Sequence, residues 1–267
     1  MTDTSQKLRL GGMALRNGLL VHGPTHWSAA CRRKDGTIGI ASGRKPRVHL
    51  FDDVPGLRGV VRLGEAMAVI PLVKKNLPEA QLPFEDPKVA GAAASASLAS
   101  SLIRRRTKGR RTAARGEAAA AALSVLPTVV ALRSGDLAAF HGAEHMAIGE
   151  YESGTTATKE HDRCGSHLMA PLVVANMAGA ALLKRLVSRP TALHGGVVAL
   201  GSMAFAVEVF GWTERHPDTT ATKAIKVPGH ELQRVLGTRD PSDDQLEVGR
   251  AALAEILRVE SADGRDA

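Results

Sequence analysis

Aromatic residues are scarce in this chain, at 3% of the sequence, with two tryptophans, one tyrosine and five phenylalanines. That leaves no girdle of Trp and Tyr to mark a membrane interface, and no platform on which nucleic-acid bases would stack. Cysteine is scarcer still. Cys31 and Cys164 are too few and too far apart for a disulfide framework, so both are expected as reduced thiols facing a reducing compartment. The opening MTDTSQKLRL is polar and leads into glycines, without the apolar run and cleavage site of a secretory signal. The N-terminus is therefore expected in the cytoplasm. No internal repeat is visible.

What is present suffices for a good core, because 267 residues at 44% hydrophobic can fold as one large domain or two small ones. The net charge of +8 has much of its excess in one block, residues 104–115, RRRTKGRRTAAR. With no aromatic residues on which bases could stack, this block suits a phosphate-facing loop or contact with lipid headgroups at least as well as nucleic acid.

Along the chain, residues 8–50 read as β. Short apolar runs at 15–22 and 26–32 flank Gly23 and Pro24, and Lys34-Asp35-Gly36-Thr37 signals a hairpin turn into 38–41. Residues 55–77 turn helical, and 78–87 form a linker. Four long apolar segments follow, at 89–103, 117–132, 168–183 and 192–212. Each approaches the length of a membrane span, yet Pro127 interrupts the second, and His194 and Glu208 lie within the fourth. If all four span from a cytoplasmic N-terminus, residues 104–115 with Lys184 and Arg185 fall outside, against the positive-inside tendency. Residues 213–233 read as a polar loop, and Ser242 with Gln245 forms a capping box for a last helix. The expected fold class is α+β. A small antiparallel β unit over residues 1–54 precedes a mainly helical bundle over 55–267, whose embedding in a membrane is left open.

Chemistry concentrates in residues 140–167, FHGAEHMAIGEYESGTTATKEHDRCGSH, which hold four of the ten histidines. His141, Glu144 and His145 spell H-x-x-E-H, in which two imidazoles one helical turn apart grip a metal. At 100° per residue the two rings leave the helix about 40° apart. Ile148 and Glu152 return to that face, whereas Glu150 falls opposite. After a turn come His161 and Cys164, an imidazole and a thiol of the kind that zinc-like ions prefer. If His141, His145, His161 and Cys164 all bind, the site is closed and structural. With one off, an open position holds water and Glu144 is the natural general base. The plain alternative is a helical core in which these groups only hydrogen-bond one another.

The pieces GGMALRNGLL, RRKDGTI, PGLRGV, FHGAEH, HDRCGS and DPSDDQLEV, in that order, cover nearly the whole chain. Through them the sequence resembles the YqhQ-like family of bacterial membrane proteins, described as predicted metal-dependent enzymes. The resemblance implies a cytoplasmic metal site between pairs of membrane helices, with His141, Glu144, His145, Glu152, His161, Arg163 and Cys164 on matching positions. It also marks two departures, Met13 and Asn17, where relatives tend to carry Gln and Glu.

The leading expectation is a metal-dependent hydrolase at the inner face of a membrane. In it His141, His145 and one or both of His161 and Cys164 hold zinc, and Glu144 activates water. Arg163 meets an anionic substrate and Glu152 orients a liganding imidazole. The rivals are a scaffold with a closed structural zinc and a basic adaptor binding lipid or RNA through residues 104–115.

Overall fold

The computed structural model describes residues 7–263 apart from 52, 55, 108, 109, 134 and 189, and leaves out the side chains of 104, 110–114 and 118. The expectation for the basic block at 104–115 thus falls largely outside the described residues. Four strands, β1 (Gly11–Ala14), β2 (Gly18–His22), β3 (His26–Arg32) and β4 (Ile38–Arg44), form an antiparallel meander in chain order. The turn into β4 is built as its residues dictate. Gly36 takes a φ of 84°, and the Asp35 carboxylate accepts from the Thr37 N–H at 2.9 Å.

Side chains alternate across this sheet. Leu19, Val21 and Ala30 join one apolar cluster with Val248, Ala252 and Ile256 of the last helix, α9 (Asp243–Asp263), and Phe140 of α5 (Leu137–Ser153). Leu20, Trp27, Ala29 and Cys31 join another with Val69, Ile70 and Val73 of α1 (Leu57–Asn76). Covering both faces explains why β2 and β3 read as nearly continuous apolar runs. The expected division at residues 54 and 55 separates strands from helices along the chain, while in space α1 and α9 clasp the sheet between them. α9 opens on the expected reciprocal cap, with the Ser242 N–H donating to Gln245 Oε1 at 2.9 Å.

The apolar segments form two helical hairpins. The first comprises α2 (Pro87–Arg106), α3 (Arg110–Ser124) and α4 (Leu126–Arg133), the break at Val125 falling two residues before Pro127, whose ring cannot continue the ladder. The second pairs α6 (Met169–Leu186) with α7 (Ala192–Arg215). A Cβ on Gly179 would meet Val198 at 2.8 Å, a close approach of the kind that small residues permit between membrane helices. Among the described residues, 115–133, 165–186 and 192–215 are long and apolar enough to cross a membrane. The polar residues that weaken α7 as a span are satisfied locally. Glu208 accepts from Arg58 at 2.8 and 3.1 Å and from the Gly56 N–H at 2.9 Å, and His194 caps its own helix through Thr191.

Residues 213–233 are no loop: α8 occupies Thr220–Leu232. The Thr219 hydroxyl caps it by accepting from the Thr222 N–H at 3.2 Å, and the helix carries Pro228 inside. Polar composition and an internal proline hide such a helix from periodicity.

Candidate metal centre

α5 is the element that carries the candidate chemistry. It is wedged between α9, α4 and β1, which leaves His145 only 2% exposed and Glu144 6%. Its close packing depends on glycine at 142, where a Cβ would lie 2.2 Å from the Arg239 carbonyl. The rings of His141 and His145 have centroids 4.3 Å apart, as their one-turn spacing requires.

Each ring is fixed through its Nδ1. His141 Nδ1 lies 2.8 Å from the Gly237 carbonyl and His145 Nδ1 lies 2.6 Å from the Lys159 carbonyl. A carbonyl only accepts, so both Nδ1 atoms carry the proton and both Nε2 lone pairs are left to face inward. His141 Nε2 sits 3.4 Å from Cys164 Sγ, whereas His145 Nε2 is buried without a hydrogen-bond partner. One ligand atom from each of His141, His145 and Cys164 lies within 4.8 Å of the others. Burial presses the His145 pKa far below the usual imidazole range, helped by His141, and raises the Cys164 thiol.

His161 stands apart from this group. Its Nδ1 accepts from the Arg163 N–H at 3.2 Å, so Nε2 carries the proton and donates to Glu152 Oε2 at 3.1 Å. Its one lone pair is thereby engaged, and its ring centroid lies 5.6 Å from that of His145. Glu152 returns to the face of α5 that the helical spacing indicates, yet the imidazole it orients is His161. Arg163 joins the same network: its guanidinium lies 2.8 Å from Glu152, donates to the Leu10 carbonyl at 3.0 Å and approaches Glu214 at 3.7 Å. An incoming anion would have to compete with two carboxylates there.

Glu144 shares the cavity with His141, His145 and Cys164. Desolvation raises its pKa to about 7, with His141 opposing and Cys164 reinforcing the shift. β1 crosses directly over it, since a Cβ on Gly12 would lie 2.3 Å from Glu144 Oε1. Of the two departures, Met13 lines this cavity. Asn17 has a structural role, its amide donating to the Arg32 and Glu79 carbonyls and accepting from the Gln81 N–H.

Sequence reasoning missed Gln233. It is fully buried, accepting from the His161 N–H at 2.8 Å and donating to Ser166 Oγ at 2.7 Å, so it shapes the segment bearing Cys164. A lone glutamine in an apparently polar stretch gives no spacing signal. His167 also braces this segment, with Nδ1 3.2 Å from the Lys226 carbonyl.

The family model described as "Protein of unknown function (DUF1385)" matches residues 135–259, which run from the start of α5 into α9. Across 94% of this chain and 93% of the relative, the sequence is 25% identical to "Uncharacterized protein YqhQ" of Bacillus subtilis (strain 168). No solved structure matches the chain. Both similarities point the same way as the resemblance that the motifs in its sequence carry.

Proposed function

We propose that the chain is a membrane-associated, metal-dependent enzyme of hydrolytic type in which His141, His145 and Cys164 hold a divalent ion, most simply zinc. The observation that carries this reading is the pair of imidazoles pinned through Nδ1 to backbone carbonyls, with the buried Nε2 of His145 left without a partner beside Cys164. An unpaired buried nitrogen costs about 1–3 kcal/mol, and a carbonyl behind each ring is how metal-binding histidines are commonly oriented. Two imidazoles and a thiolate suit zinc, and three protein ligands are the catalytic pattern.

A divalent ion held there would polarise a substrate oxygen and acidify a water. Glu144, poised near pH 7 in the same cavity, takes a proton from water on the way to the transition state and returns it to the leaving group. Glu152 and Arg163 hold the segment 161–164 in place, so that Cys164 stays opposite the two imidazoles.

The closed scaffold is less well supported, because it needs His161 as a fourth ligand and both its nitrogens are engaged. We place the site on the cytoplasmic face, where reduced Cys164 is a competent ligand. The basic residues at the far ends of the hairpins count against that orientation, and labelling of a cysteine placed at Thr37 in sealed vesicles decides it.

The test is metal analysis of untreated wild-type protein beside His145→Ala and Glu144→Gln. The proposal expects metal in the wild type, its loss in His145→Ala and its retention in Glu144→Gln, with the fold intact. Equal loss in both variants would make Glu144 a ligand or support and overturn the mechanism.

A further inference from the structure

The cavity that holds the candidate metal centre is walled by the feet of both hairpins, an arrangement that bears on what enters it. Leu132 lines it from the end of α4, and Gly165 and Ser166 line it just before α6. Pro83, ahead of α2, lines it too, so the first hairpin leaves the cavity and returns to it. The second does likewise, since Glu214 at the end of α7 reaches Arg163. Both run to the same side. Lys184, near the far end of α6, lies 3.3 Å from Glu117, about two turns into α3.

Large apolar side chains stand exposed along the middle of the second hairpin. Val174 is 64% exposed and Met177 and Leu182 are likewise open on α6, while Leu193 reaches 77% and Leu200 and Phe205 stand out from α7. A run of this kind is what lipid chains cover, and α6 and α7 are among the stretches long enough to cross a membrane. The cavity mixes polar groups, His141, Glu144, His145 and Cys164, with apolar ones, Leu10, Met13, Leu132, Leu137 and Ile148, in its lining. Its volume of about 310 Å³ is at the bottom of the range for ligand sites, roughly 300–1,000 Å³, enough for a headgroup and a few carbons but not for a whole lipid.

We infer that the substrate is a membrane lipid carrying an ester or phosphoester, its head presented to the His141, His145 and Cys164 centre while its acyl chain extends out between the two hairpins. This rests on the metal-centre reading and adds the substrate class to it. A water-soluble substrate of the same headgroup chemistry would leave the apolar lining unfilled, whereas a chain continuing into the bilayer uses both kinds of lining.

The experiment uses the full chain in phosphatidylcholine nanodiscs with a photoreactive probe, dodecyl phosphate bearing a diazirine in mid-chain. Labelled peptides are mapped by mass spectrometry, and metal content is measured on the same samples. The inference expects labelling on residues 10–14 and 132–137, lost on adding unlabelled dodecyl phosphate and unchanged by inorganic phosphate at equal concentration. Leu132→Arg should remove that labelling while metal content stays at the wild-type level. Labelling confined to the outer faces of α6 and α7, or equal competition by inorganic phosphate, overturns the lipid assignment while leaving the metal centre standing. Competition by an apolar helical peptide but not by dodecyl phosphate overturns it in favour of a membrane-embedded protein segment. Absence of metal from the wild type, with cavity labelling intact, instead contradicts the metal-centre reading.

Discussion

Val21 and Val174 have the same side chain, yet Val21 is fully buried in the sheet and Val174 is 64% exposed on α6. The base of the molecule, with β1–β4 held between α1 and α9, buries the apolar residues that face between the sheet and these helices, such as Leu20, Trp27 and Val73. The hairpins display theirs. In water the first arrangement is stabilising, at roughly 25 cal/mol per Å² of apolar surface removed, and the second gains nothing until a lipid or partner covers it. Apolar content alone therefore does not distinguish a core from a membrane-facing surface, whereas burial does.

The comparison is broken most severely in the base. Trp27 is 1% exposed between the sheet and α1, and Trp27→Ala is expected to cost about 3–5 kcal/mol of unfolding stability, measured by denaturant titration. A hairpin change should act through the membrane instead. Met177→Asp, near the middle of 165–186, is expected to weaken insertion by about 2.5–3.5 kcal/mol in an insertion assay. If α6 were only a soluble surface helix, the same change would stay within about 0.5 kcal/mol.

Glycines sharpen the contrast. Gly142→Ala would press a methyl onto the Arg239 carbonyl, backbone that has little room to yield, and is expected to destabilise by about 1–3 kcal/mol. Gly91→Ala on α2 meets nothing within 4 Å and is expected to stabilise by about 0.5–1 kcal/mol through helix propensity. Thermal melts of the two variants should move in opposite directions. Equal destabilisation would mean that the hairpin surface is as closely packed as the base.

Titration separates the regions more gently. Burial, reinforced by Lys45, lowers the His22 pKa to about 4 from 6.5. Its neutral form fits the fold, so the contribution is fully present above pH 6.5 and is lost as pH falls toward 4, where only the unfolded chain gains the proton. The expected loss is about 1–2 kcal/mol, reduced from the full linkage because the ring is partly exposed. His22→Gln should flatten that part of the pH–stability curve.

The strands and most helices were legible in the sequence because their signals are local: the Asp35-Gly36 turn, the Ser242 and Gln245 cap, and long apolar runs. Within the site, the one-turn spacing of His141 and His145 survives intact, and Cys164 joins them from across a loop. The remainder depends on contacts between distant segments. The sidelining of His161 follows from the placement of Glu152 and of the Arg163 backbone, and the burial of Gln233 follows from α8, which its polar residues and Pro228 concealed. That Asn17 braces a turn while Met13 lines the cavity likewise became visible only once β1 lay across α5.

Cobalt(II) substitution tests the central claim most directly. Metal-stripped protein titrated with cobalt should develop the near-ultraviolet band of a thiolate–cobalt bond and visible bands of a low-coordinate ion. Cys164→Ser should abolish the former, His161→Gln should retain it, and Glu144→Gln should leave both unchanged. A band that survives Cys164→Ser, or one that vanishes in His161→Gln while the fold persists, would contradict a centre built on His141, His145 and Cys164.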